Sequence, residues 1–198
     1  AILGVEPPRR DARFGYAEPI TCSKSCTSVR GRTEGCREMG DSEMTTLLGF
    51  QRKKREHVLG ILEGLDEEAL RRPVLPSGWN CLGLVHHLAL DVEKFWFRAV
   101  VAGERAAIEE ILASPDAWKP APELTGAEVF GRYREECERA DAVLAGVDLD
   151  APTAWWPDFF SGWRYETIRE VMAHVLTETA THAGHLDAVR ELIDGRQR

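Results

Sequence analysis

The stretch Thr167–Gly195, TIREVMAHVLTETATHAGHLDAVRELIDG, decides the fold. Thr167 with Glu170 three positions on spells a capping box, in which side chains and backbone satisfy each other's free donors at a helix start. Gly195 stands where a C-terminal glycine belongs, since glycine turns left-handed there without strain. Projected at about 100° per residue, Ile168, Val171, Val175, Leu186, Val189 and Ile193 fall on one face. A long helix with one apolar face needs partners to bury it.

The rest of the chain supplies them. Helix one is expected from Thr46 to Leu65, with a stripe of Leu47, Leu48, Val58, Leu59, Ile61, Leu62 and Leu65. Arg52, Lys53, Lys54 and Arg55 are expected to face water. Gly64 and the acidic Asp66-Glu67-Glu68 predict a stop and a short helical turn. Helix two should run from Asn80, a good N-cap, to just before Gly103, and it is apolar on most sides, as a central helix would be. Helix three opens with a second capping box, Thr125 with Glu128, and reaches Gly146, with Cys137 as a small core filler. Pro73 and Pro76, then Pro115, Pro120 and Pro122, mark the loops between. No segment alternates as a strand must. The expected fold is an all-α four-helix bundle over residues 44–198.

Residues 1–43 read differently. They hold Pro7, Pro8 and Pro19, no sustained apolar period, and equal numbers of acidic and basic side chains. Such a segment buries too little apolar area to offset its ordering entropy. It is expected to be a disordered extension or the product of an upstream start, with Cys22, Cys26 and Cys36 inert inside it.

Composition narrows the function. At 198 residues, 43% hydrophobic and 29% charged, the chain has the profile of one globular domain. The longest uncharged run, residues 73–90, is broken by Pro73, Pro76, Ser77-Gly78 and two histidines, so no helix apolar over the ~18 residues that a membrane span needs is expected. A net charge of −8 argues against binding a phosphate backbone. Five cysteines, an odd number in a chain this long, do not form a disulfide framework, so a reducing, cytoplasmic home is expected.

Five of the six histidines lie on two helices: His86 and His87 on helix two, His174, His182 and His185 on helix four. His182 falls in the middle of helix four's apolar face, with Glu178 and His185 near its edges. A carboxylate there is costly unless paired or bound to a metal. Two ligands at i, i+4 plus a third from another helix is a common way for bundles to hold a divalent cation. Imidazole with carboxylate suits Zn, Ni, Fe or Mn. The alternative is a metal-free hydrogen-bonded pair. Periodicity places His86 nearer the apolar side of helix two than His87, so both stand as candidates. Trp155, Trp156, Phe159, Phe160 and Trp163 either wall a pocket or plug the bundle end. Arg132 and Arg134 either attract an acidic substrate or form a solvated face.

Three stretches together resemble the DinB/YfiT-like metal-binding superfamily across Thr45–Gly195. They are Pro76-Ser77-Gly78-Trp79 leading into Gly83-Leu84-Val85-His86-His87-Leu88, with Val92-Glu93 and Trp96-Phe97; Glu178 to Asp187; and Arg190 to Gly195. The resemblance implies a four-helix bundle with one divalent metal, zinc first, held by His87, Glu178 and His182. That ligand set is similar to the mycothiol-dependent maleylpyruvate isomerase branch. It implies a homodimer, a small-molecule substrate, and a low-molecular-weight thiol such as mycothiol. His185, often Gln in relatives, is a ligand or a pocket hydrogen-bonder; His185 and Asp187 are candidate outer-shell catalytic groups. A thiol-dependent transferase or isomerase acting on a small electrophile is the first expectation. Its rivals are a metal-dependent hydrolase using water, and a non-catalytic, metal-stabilised dimeric module.

Overall fold

The computed structural model describes residues 35–197 apart from 114, 115 and 161, with side chains from Glu43 onward. Every regular element among the described residues is helical: α1 (Gly35–Leu62), α2 (Glu67–Arg71), α3 (Cys81–His87), α4 (Arg105–Ala113), α5 (Gly126–Leu144) and α6 (Ile168–Asp194). A π-wound segment, Leu88–Val101, continues α3 without a break, and a 3-10 turn covers Asp158–Phe160. The expected all-α bundle is the fold observed.

Local signals explain the boundaries. Both capping boxes form, at Thr125–Glu128 and at Thr167–Glu170, and Asn80 accepts from Gly83 N–H to start α3. Gly195 closes α6 in the left-handed region at φ 76°. The turn expected after Gly64 is α2, capped by Asp66. Two boundaries differ from expectation. Helix α1 begins at Gly35, not near Thr46, and an ion pair from Glu43 to Arg169 ties its early part to α6. Residues 1–34, with Cys22 and Cys26, lie outside the described residues. The segment after Gly103, expected as loop, forms α4, which Lys94–Glu110 and Arg98–Glu104 ion pairs hold against the π-wound segment.

The helix directions follow from which residues meet. Glu43 pairs with Arg169, Gln51 with Thr179, His57 with Asp187, and Arg190 with the Ile61 carbonyl, so α1 and α6 climb together. His87 meets His182 while Trp96 meets His174, so the α3–π helix runs against α6. Both α3 and α5 start beside α2, where Gly126 N–H donates to Glu67, and they run the same way. Parallel neighbours need a connection as long as the helix. Here it is residues 102–125, which carry α4.

The π-wound segment forms the bundle's axis. Ala102 N–H reaches back five residues to Phe97 O, 3.0 Å away. All its side chains but two are buried, between α1, α4, α5 and α6. Among them is Glu93, with no exposure at all. Arg55 grips it with a two-pronged fork, Nε to Oε1 at 2.7 Å and Nη2 to Oε2 at 2.6 Å, and Gln51 donates to it at 3.0 Å. The same Gln51 amide reaches Thr179 on α6, and Arg55 also reaches Asp141 on α5. Arg55 was expected to face water; it is buried because this carboxylate needs it. Although burial opposes the guanidinium's charge, the Glu93 carboxylate keeps its pKa above the ordinary value.

Breaking a buried ion pair by removing one partner costs about 3–5 kcal/mol, because the other charge is stranded. Glu93→Gln should therefore lower unfolding free energy by roughly that amount in urea melts, with Arg55→Met/Glu93→Leu recovering most of it. A Glu93→Gln loss below ~1 kcal/mol would refute this role.

Candidate metal centre

Helix α6 presents Glu178 and His182 one turn apart, and the end of α3 brings His87 across to them. One ligand atom from each of the three residues lies within 4.8 Å of the others. His87 is buried and His182 nearly so, while Glu178 is half-buried. Burial pushes the Glu178 carboxyl up, but the imidazole of His182 facing it, with His174 and His87 nearby, outweighs burial and holds its pKa below the ordinary value.

The residues fit a divalent cation. His182 Nε2 stands 3.4 Å from Glu178 Oε2, long for a hydrogen bond, and its Nδ1 is buried with no partner. A buried imidazole used so little by the protein costs about 1–3 kcal/mol per unsatisfied group. His87 is set up differently. Its Nδ1 bonds Asp91 Oδ2 at 2.9 Å, which fixes the ring and leaves Nε2 for the cluster. Two imidazoles and a carboxylate are the donor set of zinc and its first-row neighbours.

Between the two helix-two candidates the geometry distinguishes clearly. His86 points away, its Nδ1 2.7 Å from Ala117 O and its Nε2 3.4 Å from Arg132. Burial lowers its pKa, which favours the neutral ring as a hydrogen-bonding group. By holding Ala117 it holds Trp118, whose ring stacks on His87 with centroids 4.2 Å apart and planes 18° off parallel. Gly83 is the second hold: a Cβ there would lie 2.3 Å from Trp118 O. The crossover thus comes down on α3 at a glycine and places an indole over a ligand.

The remaining sequence candidates fall around this centre. His185 is exposed at its rim, 5.6 Å from the His182 ring. Asp187 turns to α1, where both its oxygens meet His57 Nε2 at 2.7 and 2.9 Å. His174 packs edge-on against Trp96 at 4.7 Å. The aromatics of residues 154–163 pack chiefly as core: Phe160 stacks on Trp96, Trp155 meets Phe95, and Trp156 meets Trp96 and Tyr165. Arg134 is exposed, as a solvated face requires. Sequence reading missed Asp91 and Trp118. The i, i+4 spacing of His87 and Asp91 was a signal for the first; nothing local marks the second.

A family model described as Mycothiol-S-transferase matches residues 46–195. The chain belongs to the mycothiol-S-transferase family. No curated protein and no solved structure matches it. The match spans the DinB-like bundle from helix α1 to the glycine that ends α6, and so takes in all three candidate ligands. Membership in the mycothiol-S-transferase family together with the triad supports a thiol-dependent, metal-assisted enzyme. No helix among the described residues is long and apolar enough to cross a membrane.

Groups that orient a metal-binding histidine typically matter about 10–100-fold in affinity. Asp91→Ala should weaken zinc binding by about that factor in competition with a chromophoric chelator, while leaving the helical circular dichroism intact. Unchanged affinity would remove Asp91 from the site.

Proposed function

We propose that His87, Glu178 and His182 hold one divalent cation, zinc in the first place, and that the enzyme transfers a low-molecular-weight thiol, mycothiol, to a small electrophile. The buried, under-used imidazole of His182 beside Glu178 carries this reading. Three protein ligands are the number found where a catalytic rather than structural site keeps a position open. A cation bound there supplies Lewis acidity, which lowers the pKa of a neighbouring thiol or water.

The protein's own side chains supply the rest. His185, exposed at the rim beside His182, accepts the proton of the incoming S–H group. The S–C bond then forms at the electrophilic carbon. Where a leaving group is present, its bond breaks and it departs with the electron pair; in conjugate addition the pair moves into the acceptor and His185 returns the proton. Asp187, engaged with His57, acts as an orienting group that keeps α6 in register with α1. Trp118 covers His87 and limits water around it.

Neither cysteine among the residues with described side chains supplies the reacting thiol. Burial pushes the Cys81 thiol up to about 11, and burial with Glu93 nearby raises that of Cys137 as well. Both therefore stay protonated and unreactive at neutral pH. A reduced thiol cosubstrate fits the cytoplasm, and the family resemblance adds a homodimer to the proposal.

Chelated enzyme should fail to consume electrophile with mycothiol present, and one equivalent of zinc should restore turnover. His182→Ala should lower kcat/KM by at least about 100-fold, as expected when a group essential to the transition state is lost. Ester or amide turnover without any thiol would favour a hydrolase instead. Full activity in the chelated enzyme would overturn the proposal.

A further inference from the structure

Two tryptophans stand apart from the aromatic core. Trp96, Trp155, Trp156 and Trp163 cluster with Phe95, Phe160 and Tyr165 beyond the Glu178 side of the centre. Trp79 and Trp118 do not join them. They come from two connections, the loop before α3 and the crossover before α5, and close a circle of rings with the site histidines. Trp79 lies 6.5 Å from Trp118 and 6.2 Å from His185; Trp118 meets His87 and His182 at 4.2 and 5.7 Å; His182 meets His185 at 5.6 Å. Both indoles are half-buried.

This wall is built, not incidental. Trp118 is pinned by the His86 hydrogen bond to its neighbour Ala117 and by the close approach of its own carbonyl to Gly83. Trp79 meets it at 61°, so the two indoles form a corner and do not stack face to face. The five rings of the circle are tryptophans and histidines, and Arg132 reaches His86, which points away from them. A cationic ligand would meet the charge of a metal held by the triad. What an indole corner offers is a π surface for a neutral, flat molecule.

We infer that Trp79, set against Trp118 and His185, determines specificity for the electrophile, and that this subsite takes neutral, planar, conjugated acceptors. The inference rests on the thiol-transfer reading above. With an activated aryl halide the balance is simple. The thiol sulfur bonds the ring carbon, the carbon–halogen bond breaks, halide leaves with the electron pair, and the thiol proton passes to His185.

The test compares kcat/KM for 1-chloro-2,4-dinitrobenzene with that for iodoacetamide, using zinc-loaded enzyme and mycothiol. Trp79→Leu keeps apolar bulk but removes the π face; Trp79→Phe keeps a flat ring. The ratio of the two kcat/KM values should fall about fivefold or more in the Leu variant and about twofold or less in the Phe variant. A calorimetric dissociation constant for 1,3-dinitrobenzene, which has no leaving group, should weaken in parallel. An unchanged ratio in Trp79→Leu, or an equal fall in both variants, would overturn the subsite. If wild-type enzyme transferred thiol to neither electrophile, the proposed function would fail, and the binding measurement would still decide the subsite.

Discussion

The carboxylate of Glu93, sealed inside the bundle, is the constraint on which the rest of the structure depends. An ionised group with no exposure cannot be left alone, and Arg55 and Gln51 answer it from α1. Their remaining donors reach Thr179 on α6 and Asp141 on α5. One buried charge therefore sets the register of four helices by directional bonds, where apolar packing alone would tolerate small slips. The consequence for the site is direct. Thr179 is the neighbour of Glu178, and Asp91, which orients His87, lies two positions before Glu93.

The second constraint is topological. Because α3 and α5 run the same way, the chain must travel the length of the bundle between them, and that crossover passes over the ligand end of α3. Its backbone approaches so closely that only glycine fits at position 83. The two adjacent histidines of α3 then divide the work: His86 holds the crossover and His87 faces the cluster under the indole that the crossover delivers. Coordination chemistry and chain connectivity meet at this one pair.

Much of this was legible in the sequence. Two capping boxes, a terminal glycine and an apolar face identify α5 and α6, and i, i+4 spacing brings Glu178 and His182 to the edge and middle of that face. What local pattern could not yield depended on distant partners. Arg55 sits in a run of basic residues and reads as solvated; only Glu93, far along the chain, explains its burial. His86 and His87 could not be separated by projection for two reasons. Their helix is apolar nearly all round, and it widens to π winding just after His87, so an α-helical phase misplaces the following residues. Ion pairs to other helices accompany the early start of α1 and the presence of α4, and periodicity does not register such partners.

X-ray absorption at the zinc edge, on protein reconstituted with one equivalent of metal, tests the central claim most directly. The account predicts two imidazole nitrogens and one carboxylate oxygen at about 2.0–2.2 Å, with one imidazole contribution lost in His87→Ala and retained in His86→Ala. A sulfur scatterer from a protein cysteine, or a spectrum altered by His86→Ala and untouched by His87→Ala, would contradict it.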